Sequence, residues 1–312
     1  MTRMVTPAAD QNHSHYPELT LLSSSDWQDY ELMDSGNGLK LERYGRYIFI
    51  RSEPQAMWKP ALHETFWKSA HAVFQPSAEE SGGHWQFHKP VEPGWMMRYK
   101  RLAFQVQTTA GRHLGVFPEQ ATNWDWITTQ ITAAGRPIQV LNLFGYTGLA
   151  TLAAAQAGAK VTHVDASKKA ISWARKNQEL SGLDNRPVRW IVDDALKFVL
   201  REVRRGVRYD GIILDPPKFG RGPKGEVWEF FDLFPRLMAA CCDVLSSQPV
   251  FVVITAYAIR ASALSLHYSL EEMMSGFPGI VSSGELVLVE SSAGRIISMA
   301  IYARWLTGHL ET

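Results

Sequence analysis

The tightest constraint in this chain is the stretch Leu141-Asn142-Leu143-Phe144-Gly145-Tyr146-Thr147-Gly148-Leu149-Ala150. An apolar run, a turn with two glycines and the start of an alanine-rich helix follow one another without a spare residue. Twenty positions after Gly145, closing the next apolar run, stands Asp165. A strand, a glycine turn, a helix and an acid ending the next strand are the sequence form of a nucleotide-cofactor site.

From Ile138 onward the chain keeps to that pattern. Strands are predicted at 139–144, 160–164, 188–192, 209–214 and 250–255, alternating with helices at 149–156, 168–181, 195–205, 226–245 and 263–274. The end differs. Strands at 285–290 and 295–305 are joined by Ser291-Ser292-Ala293-Gly294, with no helix between. Parallel units closed by a hairpin describe an α/β fold: a doubly wound, seven-stranded, mostly parallel sheet with an antiparallel C-terminal hairpin. Upstream, alternating segments at 30–34, 39–44 and 47–50 around glycine turns predict antiparallel hairpins. A short helix is expected at 61–74 and strand character at 95–107. Pro118-Glu119-Gln120 opens a helix with Trp124, Ile127 and Ile131 on one face. The expected organisation is a disordered tail (1–18), a β-rich substrate-recognition domain (19–117) and a cofactor-binding catalytic domain (118–312).

Composition excludes several classes. Among 312 residues the formal net charge is +1, so any nucleic-acid surface must be local. The two cysteines, Cys241 and Cys242, are adjacent and build no disulfide framework, which suits a reducing compartment. No apolar run reaches membrane-spanning length, and the first 17 residues lack the apolar core of a signal peptide. A cytoplasmic protein is expected, with no membrane partner and its oligomeric state open. His13 and His15 read as part of a flexible tail. His84 and His88 are spaced i, i+4 in a strand-like region without further ligands, so no metal is expected.

The turn Gly145-Tyr146-Thr147-Gly148 narrows the cofactor. A dinucleotide fingerprint needs a middle glycine so that the backbone can approach pyrophosphate; Tyr146 and Thr147 stand there instead. No Gly-Lys-Ser/Thr follows, which excludes a P-loop. A nucleoside cofactor without phosphate fits. Asp165 has two oxygens to accept both ribose hydroxyls, or it caps the helix behind Ala166-Ser167. Asp194, with Asp193 as its rival and Ala195 following, is placed to accept an adenine amine. After the fourth strand comes Asp215-Pro216-Pro217-Lys218-Phe219-Gly220-Arg221-Gly222. Two prolines cannot continue a central strand; they stiffen a loop at the carboxyl edge of the sheet. There one carboxylate and rigid carbonyls can take an NH2 group and orient its lone pair, unless the motif is only a proline turn.

Together these motifs resemble the class I S-adenosylmethionine-dependent methyltransferases. More closely, over about residues 105–310, they resemble the bacterial large-subunit rRNA cytosine-C5 methyltransferase family. The segment from His113 to Gln120 resembles that family's T-G-x-F-x-D-Q-R motif. Phe117 and Gln120 match it; Leu114, Glu119 and Ala121 depart from it. The resemblance implies S-adenosylmethionine as cofactor, RNA as partner, and Phe117 and Gln120 as residues enclosing the cofactor. With them, the expected cofactor set is Asn142, Phe144, Gly145, Tyr146, Thr147, Gly148, Asp165, Ala166, Ser167, Asp193, Asp194 and Ala195. The family's N-terminal RNA-binding domain is not recognisable in residues 1–100.

One departure bears on the reaction. Pyrimidine C5 becomes nucleophilic only after a thiolate adds to C6, and the resembled enzymes carry that cysteine after the fifth strand. Here the place reads Ile254-Thr255-Ala256-Tyr257-Ala258. Cys241 and Cys242 lie in an apolar helix and read as core. A base nitrogen with its own lone pair is therefore the expected acceptor, with Asp215, Pro216, Pro217 and Lys218 as catalytic candidates. Phe219, Arg221 and Tyr257 are the substrate-binding candidates. Trp95, Arg98, Tyr99, Lys100 and Arg101 interleave aromatics with cations as a single-strand RNA surface would. Arg201, Arg204, Arg205 and Arg208 read as a solvated face. Two alternatives stay open: methylation of a protein or small-molecule amine, and a non-catalytic cofactor-binding module or nicotinamide oxidoreductase.

Overall fold

The computed structural model describes residues 16–77 and 82–308. Residues 1–15 of the expected tail, with 78–81 and 309–312, lie outside the described residues. The N-terminal part runs β1 (Leu19–Leu22), β2 (Tyr30–Gly36), β3 (Leu39–Tyr44), β4 (Tyr47–Ser52), α1 (Glu64–Trp67), β5 (Ala72–Pro76), β6 (Gly83–Phe87), β7 (Trp95–Tyr99) and β8 (Leu102–Val106). A 3-10 turn at Pro118–Gln120 feeds α2 (Ala121–Ala133). The alternating part follows as β9 (Gln139–Leu143), α3 (Leu149–Gln156), β10 (Lys160–Asp165), α4 (Lys168–Leu180), β11 (Val188–Val192), α5 (Ala195–Arg204) and β12 (Gly211–Leu214). After it come β13 (Phe219–Arg221), β14 (Val227–Glu229), α6 (Phe230–Asp243), β15 (Phe251–Ala256), α7 (Ala263–Met273), β16 (Gly279–Val289) and β17 (Ile296–Thr307).

The main sheet has eight strands in the order β1-β16-β17-β15-β12-β9-β10-β11. Pairs from β15 to β11 are parallel, and β17 is antiparallel to both neighbours. The strand order turns back between β9 and β12, which opens a crevice at their carboxyl ends, the binding position in open α/β sheets. Phe144 and Asp215 are the residues that leave these two strands. Seven strands were expected. The eighth, β1, adds in parallel to β16 and was assigned by the sequence to the N-terminal domain. Gly284 permits its approach: a Cβ there would lie 1.8 Å from the Thr20 carbonyl oxygen.

Two other expectations are corrected. The helix at 61–74 shrinks to α1, because Val73 and Phe74 pair and pack as β5 instead. The helix expected from residue 226 begins at Phe230, because Gly225 turns at φ +87° and sends 227–229 back along β13.

The boundary expected at 117/118 is not a division in the packing. One apolar cluster contains Tyr44, Phe49 and Trp95 from the N-terminal strands together with Trp124, Leu149, Leu288 and Ile297. The β7–β8 hairpin lies on α4, where the Ala103 and Gln105 amides donate to Ser181 and Asn177. The tip of the β16–β17 hairpin is held to β2 by Ser35 on Glu290, Ser291 on Glu31 and Ser292 on Asp34. Among the described residues, no helix is long and apolar enough to cross a membrane.

Candidate active site

The glycine turn is shaped by what lies beneath it. Phe144, Tyr146 and Gly148 all have positive φ. Gly145 is needed because a Cβ would sit 2.3 Å from His163 Cε1. His163 is fully buried on β10, and burial pushes its pKa down to about 3, so the ring is neutral. Its Nδ1 pairs with Thr151 Oγ1 at 2.8 Å, and Thr151 accepts from Asn142 Nδ2 at 2.9 Å. Asn142 therefore supports the turn from below. Thr147 does so from the side, its hydroxyl donating to the Gly115 carbonyl at 2.7 Å.

The turn is not an anion nest. The Gly145 amide donates to the Val164 carbonyl, the Gly148 amide to the Gly145 carbonyl, and the Tyr146 amide to Asp165 Oδ2 at 2.9 Å. With those donors engaged inside the protein, little remains to hold a pyrophosphate, in keeping with the missing middle glycine.

Asp165 ends β10 and receives a second amide, that of Ser167, on Oδ1 at 2.8 Å. Burial raises its pKa, and the two amides pull it back. The helix-cap alternative goes to its neighbour: Ser167 Oγ caps α4 by accepting from the Ala170 amide at 3.2 Å. Each Asp165 oxygen keeps a lone pair free for a ribose hydroxyl. Asp193 is engaged on both oxygens, by the Asp194 amide at 2.9 Å and by Arg201 at 2.5 Å. Asp194 caps α5 through Oδ1 alone. Of the two, Asp194 is therefore better able to accept an adenine amine.

These residues line one cavity of about 640 Å³. Phe117, Phe144, Tyr146, Asp165, Ala166, Ser167, Asp193, Asp194 and Ala195 line it. Asp215, Pro216, Pro217, Lys218, Phe219, Arg221 and Tyr257 line the same cavity. Gln120, Asn142, Gly145 and Thr147 line a narrow crevice that shares Phe117, Phe144, Tyr146 and Asp215 with the cavity. Gly148 lies outside both, where it starts α3 in the left-handed region.

Asp215 sits half-buried at the end of β12. Burial, and then the charge of Glu119, push its carboxyl pKa up to about 8, while the Gln120 amide donates to Oδ2 at 3.2 Å and offsets part of this. That Gln120 donor is itself oriented. Arg304 on β17, with its pKa drawn down to about 10 by burial, donates through Nε (2.9 Å) and an Nη (2.6 Å) to Asn123 Oδ1. Asn123 Nδ2 then faces Gln120 Oε1 at 2.7 Å, which leaves Gln120 Nε2 for Asp215. Arg304 has only donors, so it sets the direction of both amides.

The proline loop is also anchored. Trp228 on β14 donates its indole N–H to the Pro217 carbonyl at 2.6 Å and lies 4.9 Å from the Phe144 ring. The Pro217 carbonyl, expected to be available to an acceptor amine, is thus engaged, which leaves that of Pro216. Trp228, Arg112 and His113 border the cavity and were missed; in the sequence, Trp228 lay inside a run read as helix.

The surface expected for single-stranded RNA does not form. Trp95 and Tyr99 are buried in the shared core, and Lys100 pairs with Asp26 and Asp125 at 2.8 Å each. In the second basic run, Arg201 is tied to Asp193 and Arg205 to Glu202.

A family description of S-adenosylmethionine-dependent methyltransferases matches residues 53–274. A crystal structure of an S-adenosylmethionine-dependent methyltransferase from Agrobacterium tumefaciens is 47% identical, with a TM-score of 0.89 over 94% of this chain and 97% of that one. The SMU.776 protein, complexed with S-adenosylhomocysteine, is 18% identical but shares the fold, with a TM-score of 0.70 over 90% of this chain and 76% of its own. Ribosomal RNA large subunit methyltransferase I of Aeromonas salmonicida is 42% identical over 184 residues, 54% of this chain and 45% of the relative. The chain thus spans about half the length of that curated relative.

Proposed function

The chain belongs to the S-adenosylmethionine-dependent methyltransferase family, and we propose that it carries the methyl group to a nitrogen of an RNA base, with ribosomal RNA as the acceptor. The observation that carries this reading is Asp215, a carboxylate at the cavity wall beside a rigid Pro-Pro loop, with no cysteine among the described residues that line the cavity. Cys241 is fully buried in α6, and burial raises its pKa. The loop after β15 presents Tyr257 instead. The printed names of the curated relatives favour ribosomal RNA, and that acceptor places the reaction in the cytoplasm.

When bound, S-adenosylmethionine supplies an electrophilic methyl on a sulfonium whose departure as a neutral thioether needs no proton. Asp165 would hold the ribose hydroxyls with the lone pairs its two amides leave free, and Asp194 would take the adenine amine. Phe117 and Tyr146 would border the cofactor and exclude water. Asp215 accepts the acceptor's N–H, with the Pro216 carbonyl taking a second one, and so aims the nitrogen lone pair at the methyl carbon. The aligned lone pair would take the methyl group, the electron pair of the broken C–S bond remaining on the neutral thioether. The nitrogen, now cationic, gives its proton to the Asp215 carboxylate, which passes it to water.

The burial of Trp95 and Tyr99 supports a second reading, transfer to a protein or small-molecule amine. Methyl-labelled S-adenosylmethionine separates the readings when the protein is incubated with unmodified total RNA and, in parallel, with cell extract stripped of RNA. Label is expected in the RNA. Label confined to the RNA-free fraction would transfer the assignment to the second reading, and no label in either would make the chain a binding module.

A further inference from the structure

The main cavity does not end at Tyr257. A second cavity of about 290 Å³ opens behind it, between β3, β4, segment 112–119 and the loop after β15, and shares Arg112, His113, Phe117, Tyr257 and Ala258 with the first. Its walls carry charges that proteins seldom bury: Lys40, Arg51, Glu53 and Glu119 are 4%, 6%, 7% and 2% exposed. Arg51 is clamped on Glu42 by bonds of 2.7 and 2.8 Å, and Lys40 lies 3.5 Å from Glu53. Glu119 is different. Its Oε1 is buried without a hydrogen bond of good geometry; the weak partner of this carboxyl is the Tyr257 hydroxyl, which also faces Gln120. A buried carboxylate oxygen is costly to leave without a donor, so a ligand that brings an N–H to this wall would be favoured.

The rest of the cavity suits one kind of ligand. Arg112 is exposed at the border of both cavities, and its guanidinium has no hydrogen bond or ion pair among the described residues. On the same wall the His113 ring lies 4.8 Å from that of Phe117, and the imidazole is kept neutral by burial and by the charges of Arg51 and Arg112. A cation, flat rings and a buried acceptor lining one cavity match the parts of a nucleotide: phosphate, base face, base N–H.

We propose that this second cavity is a second acceptor subsite, which holds one nucleotide of the RNA next to the methylated residue, its base N–H on Glu119 and its phosphate at Arg112. The proposal rests on the RNA reading above. All four bases carry an N–H donor, so the subsite senses that a base is present rather than which base.

The test uses the full chain saturated with S-adenosylhomocysteine, so that the cofactor position is filled. Adenosine, guanosine, cytidine and uridine 5′-monophosphates and ribose 5-phosphate are titrated by saturation-transfer NMR. Wild-type protein is expected to bind each nucleotide at least tenfold more tightly than ribose 5-phosphate. Glu119→Gln should lose about tenfold for the nucleotides and leave ribose 5-phosphate unchanged, as a charge-assisted bond is replaced by a neutral one. Arg112→Ala, at an exposed position, should weaken the monophosphates and ribose 5-phosphate alike, since the phosphate is the part it holds. Equal nucleotide binding by wild type and Glu119→Gln overturns the proposal. So does the case in which Glu119→Gln and Tyr257→Phe lose the same thermal stability and no affinity, since the two groups then serve only each other. Neither outcome touches the RNA reading, which fails separately if label goes only to the RNA-free fraction.

Discussion

Asp215 is a carboxylate whose ordinary state at neutral pH has been altered by its surroundings, and two consequences follow at the scale of single residues. Its carboxyl titrates near pH 8, and as a base it must be ionised, so methyl transfer should rise with pH through that region. The effect on stability has the opposite sense. A raised carboxyl favours the fold fully below its unfolded pKa of about 4, and this contribution is lost as pH rises through about 8. Asp215→Asn mimics the neutral form. It should abolish transfer, keep S-adenosylhomocysteine affinity, and raise Tm by a few degrees at pH 8 but not at pH 4; scanning calorimetry at both pH values, with activity intact in the variant as the adverse result, decides this. The relay behind Asp215 gives a sharper test. Asn123→Asp puts a carboxylate between Arg304 and Gln120 that accepts from both. Gln120 must then turn its carbonyl toward Asp215, and the acid limb of the pH–rate profile should move up by about one unit. An unmoved limb would mean that Arg304 does not set the direction of Gln120. Asp165 and Asp215 were legible in the sequence because each ends a strand beside a recognisable turn. The relay was not: Arg304 and Asn123 lie 181 positions apart and meet only because β17 and α2 pack together.

At the scale of elements, the turn and the proline loop each depend on one close contact. In Gly145→Ala the new Cβ would lie 2.3 Å from His163, and the turn must shift. The amide of Tyr146 then leaves Asp165, so cofactor affinity should fall at least tenfold in calorimetric titration, and an unchanged affinity would detach the turn from the cofactor. Trp228→Phe keeps most of the packing on Phe144 but drops the bond to Pro217. The acceptor loop should loosen, with turnover reduced several-fold while S-adenosylhomocysteine binds as before; a loss confined to cofactor affinity would assign Trp228 to the other side of the cavity. The sequence showed the loop's prolines but not its anchor. Val227-Trp228-Glu229 continues into an apolar helix without a polar cap, and only the Gly225 turn, which pairs β13 with β14, separates them. The same limit produced the long helix at 61–74, where Val73 and Phe74 fit either period and tertiary pairing decided.

At the scale of the whole molecule, the N-terminal strands and the catalytic sheet share a core, so they should unfold together. Five of the 11 tryptophans precede the expected 117/118 boundary, whereas every described helix longer than about one turn follows it. Far-ultraviolet circular dichroism therefore reports mainly on the catalytic part and fluorescence on both, and their denaturation curves should superimpose; two separated transitions would restore an independent N-terminal domain. That domain was legible as β-rich, but its union with the catalytic part rests on contacts such as Trp27 and Tyr99 with Trp124, for which local pattern has no sign. The seam contains a buried network that acid should open. Burial alone would raise the Glu42 carboxyl, but Arg51 and Lys40 outweigh it and hold the pKa at about 2. A depressed carboxyl contributes stability that is complete above its unfolded pKa of about 4.3 and is lost as pH falls through about 2. Glu42→Gln should reproduce that loss at neutral pH. It strands Arg51 and Lys40 in the interior and should cost about 3–5 kcal/mol. Adding Arg51→Met to Glu42→Leu removes the stranded guanidinium and should cost less than Glu42→Leu alone, as measured by urea denaturation at pH 7. If the double variant is instead as unstable as the sum of its singles, Glu42 and Arg51 stabilise the seam independently, and the acid sensitivity of the molecule must come from elsewhere.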